Sequence, residues 1–371
     1  MSDTRAAPAV EHCYVHVPFC PTICPFCSFE VLERRAGAVV AYLDRLDAEA
    51  AATADACEVA QLRTIYFGGG TPSYLRADEF ERLAGIIRGR LGWAGEVTLE
   101  VHPATATRDR FSDWRDLGVT RFSVGVQSFD DDVLARLGRN HDAAAGRRAV
   151  DWARNTGAAV SLDLIVAVDG QDVGVDLAEA VATGVDHVST YTLTIEEGTP
   201  FARARVEVDP DAEHDAIVRA GEVLGAAGLR RYEVSNHARP GAECEHNRAY
   251  WDGAWWLGLG PGASAHLPGP TGTAALRRKN APFDRWLAGD PGDVDVLEVV
   301  DVAHELVIAG LRRAEGVDLG EVTARTGVVD PTWDEVVAQL AADGLLVVTG
   351  ARIAATATGL LHLDAVSAAF L

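Results

Sequence analysis

Short runs of aliphatic, β-branched and aromatic residues recur along the chain, with longer stretches between them whose apolar positions return every three or four residues. The runs are 12–17 (HCYVHV), 63–67 (RTIYF), 97–101 (VTLEV), 121–126 (RFSVGV), 160–165 (VSLDLI) and 187–193 (HVSTYTL), and each predicts a strand. The stretches 39–56, 77–90, 108–117, 142–155 and 173–183 predict amphipathic helices. Strands alternating with helices predict βαβ crossovers and a parallel sheet. Six such units make a barrel-like sheet that stays open, since a closed eight-unit barrel takes about 250 residues and the clear alternation ends near residue 195.

Past that point the pattern loosens. A helix is predicted at 212–226, a strand-like RYEVSN at 231–236, a Gly/Trp-rich stretch at 250–266 and a Gly/Pro loop at 267–273. Helical periodicity returns at 299–311, 318–326 and 333–342, followed by a hairpin at 345–348 and 352–354 and a last helix from 358. Three helices and a hairpin resemble a winged helix. The predicted architecture is therefore α/β: a partial barrel of about six βα units over 1–195, an extension over 196–290, and a small α+β, winged-helix-like domain over 291–371.

Charge narrows the function. The 371 residues carry 33 Lys and Arg against 55 Asp and Glu, a formal charge of −22. That surplus argues against broad capture of nucleic acid, and the acid-rich tail favours protein contact over DNA binding for the winged-helix-like part. No run of about 18 apolar residues exists to cross a membrane, although peripheral contact stays open. The first ten residues lack the apolar core of a secretory signal, so a cytoplasmic location is expected.

Six cysteines are present: Cys13, Cys20, Cys24, Cys27, Cys57 and Cys244. Three of them fall in a C-x₃-C-x₂-C loop directly after the first predicted strand, at the carboxyl end where barrels place their active sites. A disulfide framework would be spread over a small secreted chain. Three thiolates on one loop suit three irons of a [4Fe–4S] cluster, with the fourth iron left for another ligand. A zinc site is the alternative, and it would need a fourth ligand such as His16. Cys13 and Cys57 read as apolar core thiols, and Trp255 and Trp256 as core or cavity wall.

The cysteine loop, with its lead-in Tyr14-Val15-His16-Val17-Pro18-Phe19, resembles that of the radical S-adenosylmethionine (SAM) superfamily. Gly68-Gly69-Gly70-Thr71-Pro72-Ser73, Leu99-Glu100-Val101-His102-Pro103, Ser123 to Phe129, the segment 231–266 and the C-terminal helical part resemble the coproporphyrinogen III dehydrogenase-like (HemN/HemW) family. The resemblance implies that Cys20, Cys24 and Cys27 hold the cluster. It also implies that Gly69, Gly70, Thr71, Glu100, Gln127, Arg139 and Asp163 contact SAM, and that Tyr14 and Phe26 pack on SAM and the cluster. Some of these positions have a reading of their own. Three successive glycines after a strand let backbone approach a ligand closely, and a carboxylate on an otherwise apolar strand calls for a cation or a hydrogen-bond donor. The family chemistry is reductive cleavage of SAM to a 5′-deoxyadenosyl radical, which implies an electron donor such as flavodoxin or ferredoxin.

Within the family, the dehydrogenases carry a further cysteine two residues after the third. Here that residue is Phe29, and their long N-terminal extension is missing, so coproporphyrinogen oxidation is not expected. The segment 244–251 (CEHNRAYW) holds the H-N-x-x-Y-W signature of the haem-chaperone branch, which implies haem as a ligand, with His246 a candidate for its iron. Ser28 and the stretch 165–171 (IVAVDGQ) depart from that branch. They keep a second reading open, a methyltransferase that uses two SAM molecules on an sp² carbon of a small-molecule substrate.

Overall fold

The computed structural model describes residues 9–269 and 274–371. The six predicted strands are present as β1 (Val10–Val17), β2 (Val59–Gly69), β3 (Glu96–Val101), β4 (Arg121–Gln127), β5 (Ala159–Val166) and β6 (His187–Thr192). They are parallel and hydrogen-bonded in chain order. All five predicted crossover helices form within a residue of their predicted bounds; an additional one, Asp131–Arg136, was not foreseen. It is six residues long, too short to register as a periodicity.

The helices pack through the faces that their periodicity marks. Ala38–Ala56 buries Val39, Tyr42, Leu43, Leu46 and Ala50, and Ala77–Leu91 buries Phe80, Leu83, Ala84, Ile87 and Leu91. These i, i+3, i+4 stripes meet the sheet residues Val15, Ile65, Phe67, Val97 and Leu99, all of them closed to solvent. The second helix is fixed at its start by Glu79, whose carboxylate accepts from the Arg76 backbone N–H at 2.8 Å, and it ends at Gly92 with φ 90°.

The extension does not stand apart from the barrel, because it supplies both edges of the barrel sheet. Strand Trp256–Leu259 runs parallel to β1 on its outer side, a seventh parallel strand that the sequence pattern did not reveal. Antiparallel strands Ser264–Pro268, Ala275–Lys279 and Asp293–Leu297 continue from it, so the sheet runs past residue 290. On the far side Asn236–Ala238 pairs antiparallel with β6. The RYEVSN run is broken there: Arg230–Arg231 and Asn236–Ala238 are strands, and the residues between them make the connection. The two edges do not meet, and the barrel is partial.

The C-terminal part is three helices, Val299–Leu311, Leu319–Thr326 and Trp333–Ala342, with a small sheet of Val317–Asp318, Arg352–Ala355 and Leu346–Thr349. Two short helices, Ala357–Leu361 and Leu363–Ala368, stand where one was predicted.

Candidate functional site

The cysteine loop leaves the carboxyl end of β1 and is pinned at its base. Gly70 and Thr71 N–H donate to the carbonyls of Val17 and Phe19 at 2.9 Å, and Leu32 N–H donates to that of Pro18 at 2.8 Å. The short strand Phe19–Cys20 pairs in parallel with Leu32–Glu33, which ties the two ends of the loop together. Farther out, Phe201 N–H donates to the Pro25 carbonyl at 3.0 Å, and Asn140 Nδ2 donates to the Thr22 hydroxyl at 3.2 Å. The Cys20 thiol is buried, while those of Cys24 and Cys27 are half-buried, and all three line one cavity of about 500 Å³.

Polar groups are aimed at the sulfurs. Arg139 donates from Nη1 to Cys24 Sγ at 3.2 Å, and the Thr71 hydroxyl donates to Cys20 Sγ at 3.5 Å. Burial pushes the Cys20 thiol up to about 11 and raises that of Cys27. Iron would therefore have to displace thiol protons. Among the described residues no group of three or more His, Cys, Asp or Glu is placed to hold a metal ion. In a cubane cluster each thiolate meets a different iron, so the three need not converge on one point. His16, the alternative fourth ligand for zinc, is turned away. Its Nε2 lies 2.7 Å from the Glu30 carbonyl and its Nδ1 3.1 Å from the Tyr14 hydroxyl.

Beneath the loop the same cavity collects most of the residues that the family resemblance singled out: Phe26, Gly69, Gly70, Thr71, Glu100, Gln127, Arg139 and Asp163. Glu100 on β3 accepts from the Tyr66 hydroxyl at 3.0 Å and from Gly69 N–H at 3.1 Å. Asp163 on β5 accepts from the Ser123 hydroxyl at 2.8 Å. Burial, and then the like charge of Asp163, push the Glu100 carboxyl up to about 8; burial pushes Asp163 up to about 6. Gln127 ends β4 at φ 68°, a strained backbone for a residue with a side chain, beside a register break in the β4–β5 pairing. Arg139 Nε and the Thr98 hydroxyl are buried there with no protein partner.

The glycines answer to the protein before any ligand. A Cβ on Gly69 would collide with the His16 imidazole, and one on Gly70 would come within 2.8 Å of the Pro18 carbonyl carbon. These glycines let β2 cross close behind the cysteine loop, and both still line the cavity.

Two expected residues lie outside this cavity. Tyr14 lines a different one, with its ring stacked 6.1 Å from Tyr66. His246 is 1% exposed, and both its nitrogens are taken: Nδ1 lies 2.6 Å from Thr64 Oγ1 and Nε2 lies 2.8 Å from the Tyr250 hydroxyl. Burial holds the ring down to about 3. With no free lone pair and no opening, His246 is a core residue here, which corrects the expectation that it presents itself to haem iron.

The signature helix Glu245–Trp251 instead closes the barrel at the amino ends of its strands. Glu96, at the start of β3, accepts from His246 N–H at 3.0 Å and pairs with the buried Arg121 at 3.1 Å. Arg121 also donates to the Ala242 and Glu243 carbonyls at 3.1 and 2.9 Å. Trp251 Nε1 donates to Glu233 at 2.8 Å. Sequence reasoning missed Arg121, Ser123, Tyr66 and Asn247, which also line the cysteine cavity. The signal for Arg121 was available: an arginine at the head of a buried strand, like Glu100, implies a partner.

Cys13 is fully buried, whereas Cys57 is half-buried against the core. Trp255 is buried and Trp256 half-buried on the Tyr14 side. The departing stretch at 165–171 mostly faces elsewhere. Ala167 to Asp172 line a separate surface cavity with the helix Pro210–Ala226, and only Ile165 reaches the cysteine cavity.

Residues 14–178 match the Radical SAM superfamily and residues 298–362 match the HemN C-terminal domain. The Heme chaperone HemW of Mycobacterium tuberculosis is 37% identical over 95% of this chain and 93% of its own length. That of Escherichia coli is 34% identical over 88% and 90%. A mitochondrial radical S-adenosyl methionine domain-containing protein 1 of Danio rerio is 33% identical over 85% and 76%. The solved structure of coproporphyrinogen III oxidase (HemN) from Escherichia coli, described as a radical SAM enzyme, superposes with a TM-score of 0.84 at 22% identity, covering 98% of this chain and 91% of that one. The chain belongs to the HemN/HemW family of the radical SAM superfamily. Among the described residues no helix is long and apolar enough to cross a membrane.

Proposed function

We propose that Cys20, Cys24 and Cys27 carry a [4Fe–4S] cluster, that SAM occupies the cavity beneath it, and that the protein binds haem and passes it on, as the names of its HemW relatives suggest. The observation that carries the cofactor reading is the meeting of three cysteines, a guanidinium and two half-buried carboxyls around one cavity of about 500 Å³. When bound, the cluster supplies the electron for reductive cleavage of SAM. Arg139 holds a positive charge against the Cys24 sulfur and leaves Nε free for an acceptor such as a carboxylate. Glu100, raised to about 8, holds a proton at neutral pH that a cationic or donor ligand would displace, while Asp163, raised to about 6, is mostly ionised there and offers such a ligand a negative charge. The strained Gln127 backbone sets its side chain at the cavity rim.

Of the two departures that keep the methyltransferase reading open, residues 167–171 face a separate surface cavity, whereas Ser28 lines the cysteine cavity, so that reading stays second to the haem reading. A one-electron donor of the flavodoxin or ferredoxin class and a cytoplasmic setting belong to the same proposal.

Anaerobic reconstitution tests it. Wild type should take up about four irons per chain, bind SAM and retain haem through gel filtration. Cys20→Ala, Cys24→Ala and Cys27→Ala should each lose the cluster absorbance, and Cys13→Ala and Cys57→Ala should keep it. Full iron content in the triple alanine variant would overturn the cluster assignment. A wild-type protein that retains no haem but yields S-adenosylhomocysteine would overturn the haem assignment.

A further inference from the structure

A second and larger cavity, about 990 Å³, lies between the barrel, the antiparallel strands of the extension and the helix Val299–Leu311. Its lining touches that of the cysteine cavity at Ser28 and Phe29, and Phe29 is 65% exposed although it is a phenylalanine. On one side stand Trp256 and His266, whose rings stack 5.0 Å apart at 20°. Trp255 covers the other face of that imidazole at 4.7 Å and 13°, so His266 presents only its edge. The C-terminal helix contributes the apolar Val302 and Leu306. The stacked rings thus turn their edges, not their faces, to the cavity, and a planar ligand lying across those edges would meet the imidazole end-on with the aliphatic side chains of the helix beside it.

The charges around the slot are unusual for a chain of net charge −22. Arg312 lies 5.1 Å over the Trp251 ring, and among the described ion pairs neither Arg312 nor Lys279 has an acidic partner. Of the three acids in the lining two are engaged, and the third, Asp293, stands opposite Lys279 in the strand register with no ion pair between them among the described residues. Glu30 accepts from Phe283 N–H at 3.0 Å, and Glu305 is paired with Arg277. Two cations thus remain for a ligand's anionic groups. Burial, then Arg277 and Arg325, hold the His266 imidazole down to about 4, so the ring is neutral at physiological pH and a lone pair is available to a metal.

We infer that this second cavity, rather than the H-N-x-x-Y-W helix, receives the haem: a planar dicarboxylate macrocycle whose carboxylates are drawn to Arg312 and Lys279 and whose iron is met by His266. The inference rests on the haem reading proposed above and assigns it a site. The H-N-x-x-Y-W helix borders this site through Tyr250 and Trp251 while His246 stays inside the core.

The test is a titration of ferric haem, and separately of iron-free protoporphyrin, into the reconstituted protein. Trp quenching and the Soret band are read, with iron and SAM content as the check on folding. Arg312→Glu with Lys279→Glu should weaken both ligands tenfold or more, because two attractive contacts become repulsive, and should leave iron and SAM content unchanged. His266→Ala and His266→Gln should shift the Soret band of bound haem while protoporphyrin binds as in wild type, which separates iron ligation from a packing defect. Haem bound with wild-type affinity and spectrum by all these variants would overturn the site and leave the proposed function standing. No haem bound by the wild type would overturn both.

Discussion

Replacing His246 by alanine separates a core role from a ligand role. The ring is sealed in the barrel, stacked 5.1 Å from Tyr66 at 27° and hydrogen-bonded at both nitrogens. Truncation leaves a buried hole, which costs about 2–3 kcal/mol for a side chain of this size. It loses an aromatic stack worth about 0.5–1.5 kcal/mol. It also takes from the buried Tyr250 hydroxyl its partner at 2.8 Å, at about 1 kcal/mol or more. Thr64 adds little, because its hydroxyl keeps His12 Nδ1 at 2.8 Å. Together these come to about 4 kcal/mol, and at about 1.3 °C per kcal/mol for a chain of 371 residues the midpoint should fall by roughly 5 °C. The loss should be constant above about pH 7.5 and shrink by roughly 1 kcal/mol or slightly less at pH 6, because the ring stays neutral in the fold but takes up a proton in the unfolded chain below its ordinary 6.5. Thermal unfolding followed by circular dichroism measures the fall, and a haem titration below the transition measures the ligand. The expected outcome is a drop in Tm of that size with the Soret band kept. A Tm within about 1 °C of wild type together with a lost Soret band would refute the reasoning and restore His246 as a ligand.

Three further outcomes follow from other buried groups. Glu49 accepts from Gly260 N–H at 2.9 Å, Asn280 Nδ2 at 2.7 Å and Trp286 Nε1 at 3.2 Å; Glu49→Leu orphans two of these donors, Asn280 keeping the Gly260 carbonyl at 2.8 Å, and should cost about 3 kcal/mol in denaturant unfolding with m unchanged. Glu100 moves from 4.5 in the unfolded chain to about 8 in the fold. Between those values unfolding releases a proton, so the ligand-free protein should lose stability as pH rises from about 5 to 8, at up to about 1.4 kcal/mol per unit, and Glu100→Gln should flatten the slope. Equal slopes in the two proteins would rule that out. Gly70→Ala should impair cluster uptake, because the added Cβ meets backbone at Pro18 that cannot rotate away; unchanged iron content would show that the loop yields.

Much of the molecule was legible along the chain. The alternation of buried strands and one-faced helices depends on residues a few positions apart, and it predicted β1 to β6 and their crossovers. The cysteine loop was equally local, because its three cysteines fall within eight residues of the chain. What depended on distant neighbours was not legible. Trp256–Leu259 is a four-residue strand with no periodicity to mark it, and it is a strand because the edge of β1 offers backbone partners. Asp163 raises Glu100 only because β3 and β5 bring their carboxyls to one cavity. His246 and His266 are alike as letters beside aromatic residues. One is locked between Thr64 and Tyr250 inside the barrel, while the other is held edge-on at a cavity between two tryptophans. Sequence by itself determined the six barrel strands, their crossover helices and the cysteine loop, since all of these follow from short-range pattern. Only the tertiary structure decided which histidine can reach a ligand, because burial and hydrogen-bond satisfaction are set by residues far away in the chain.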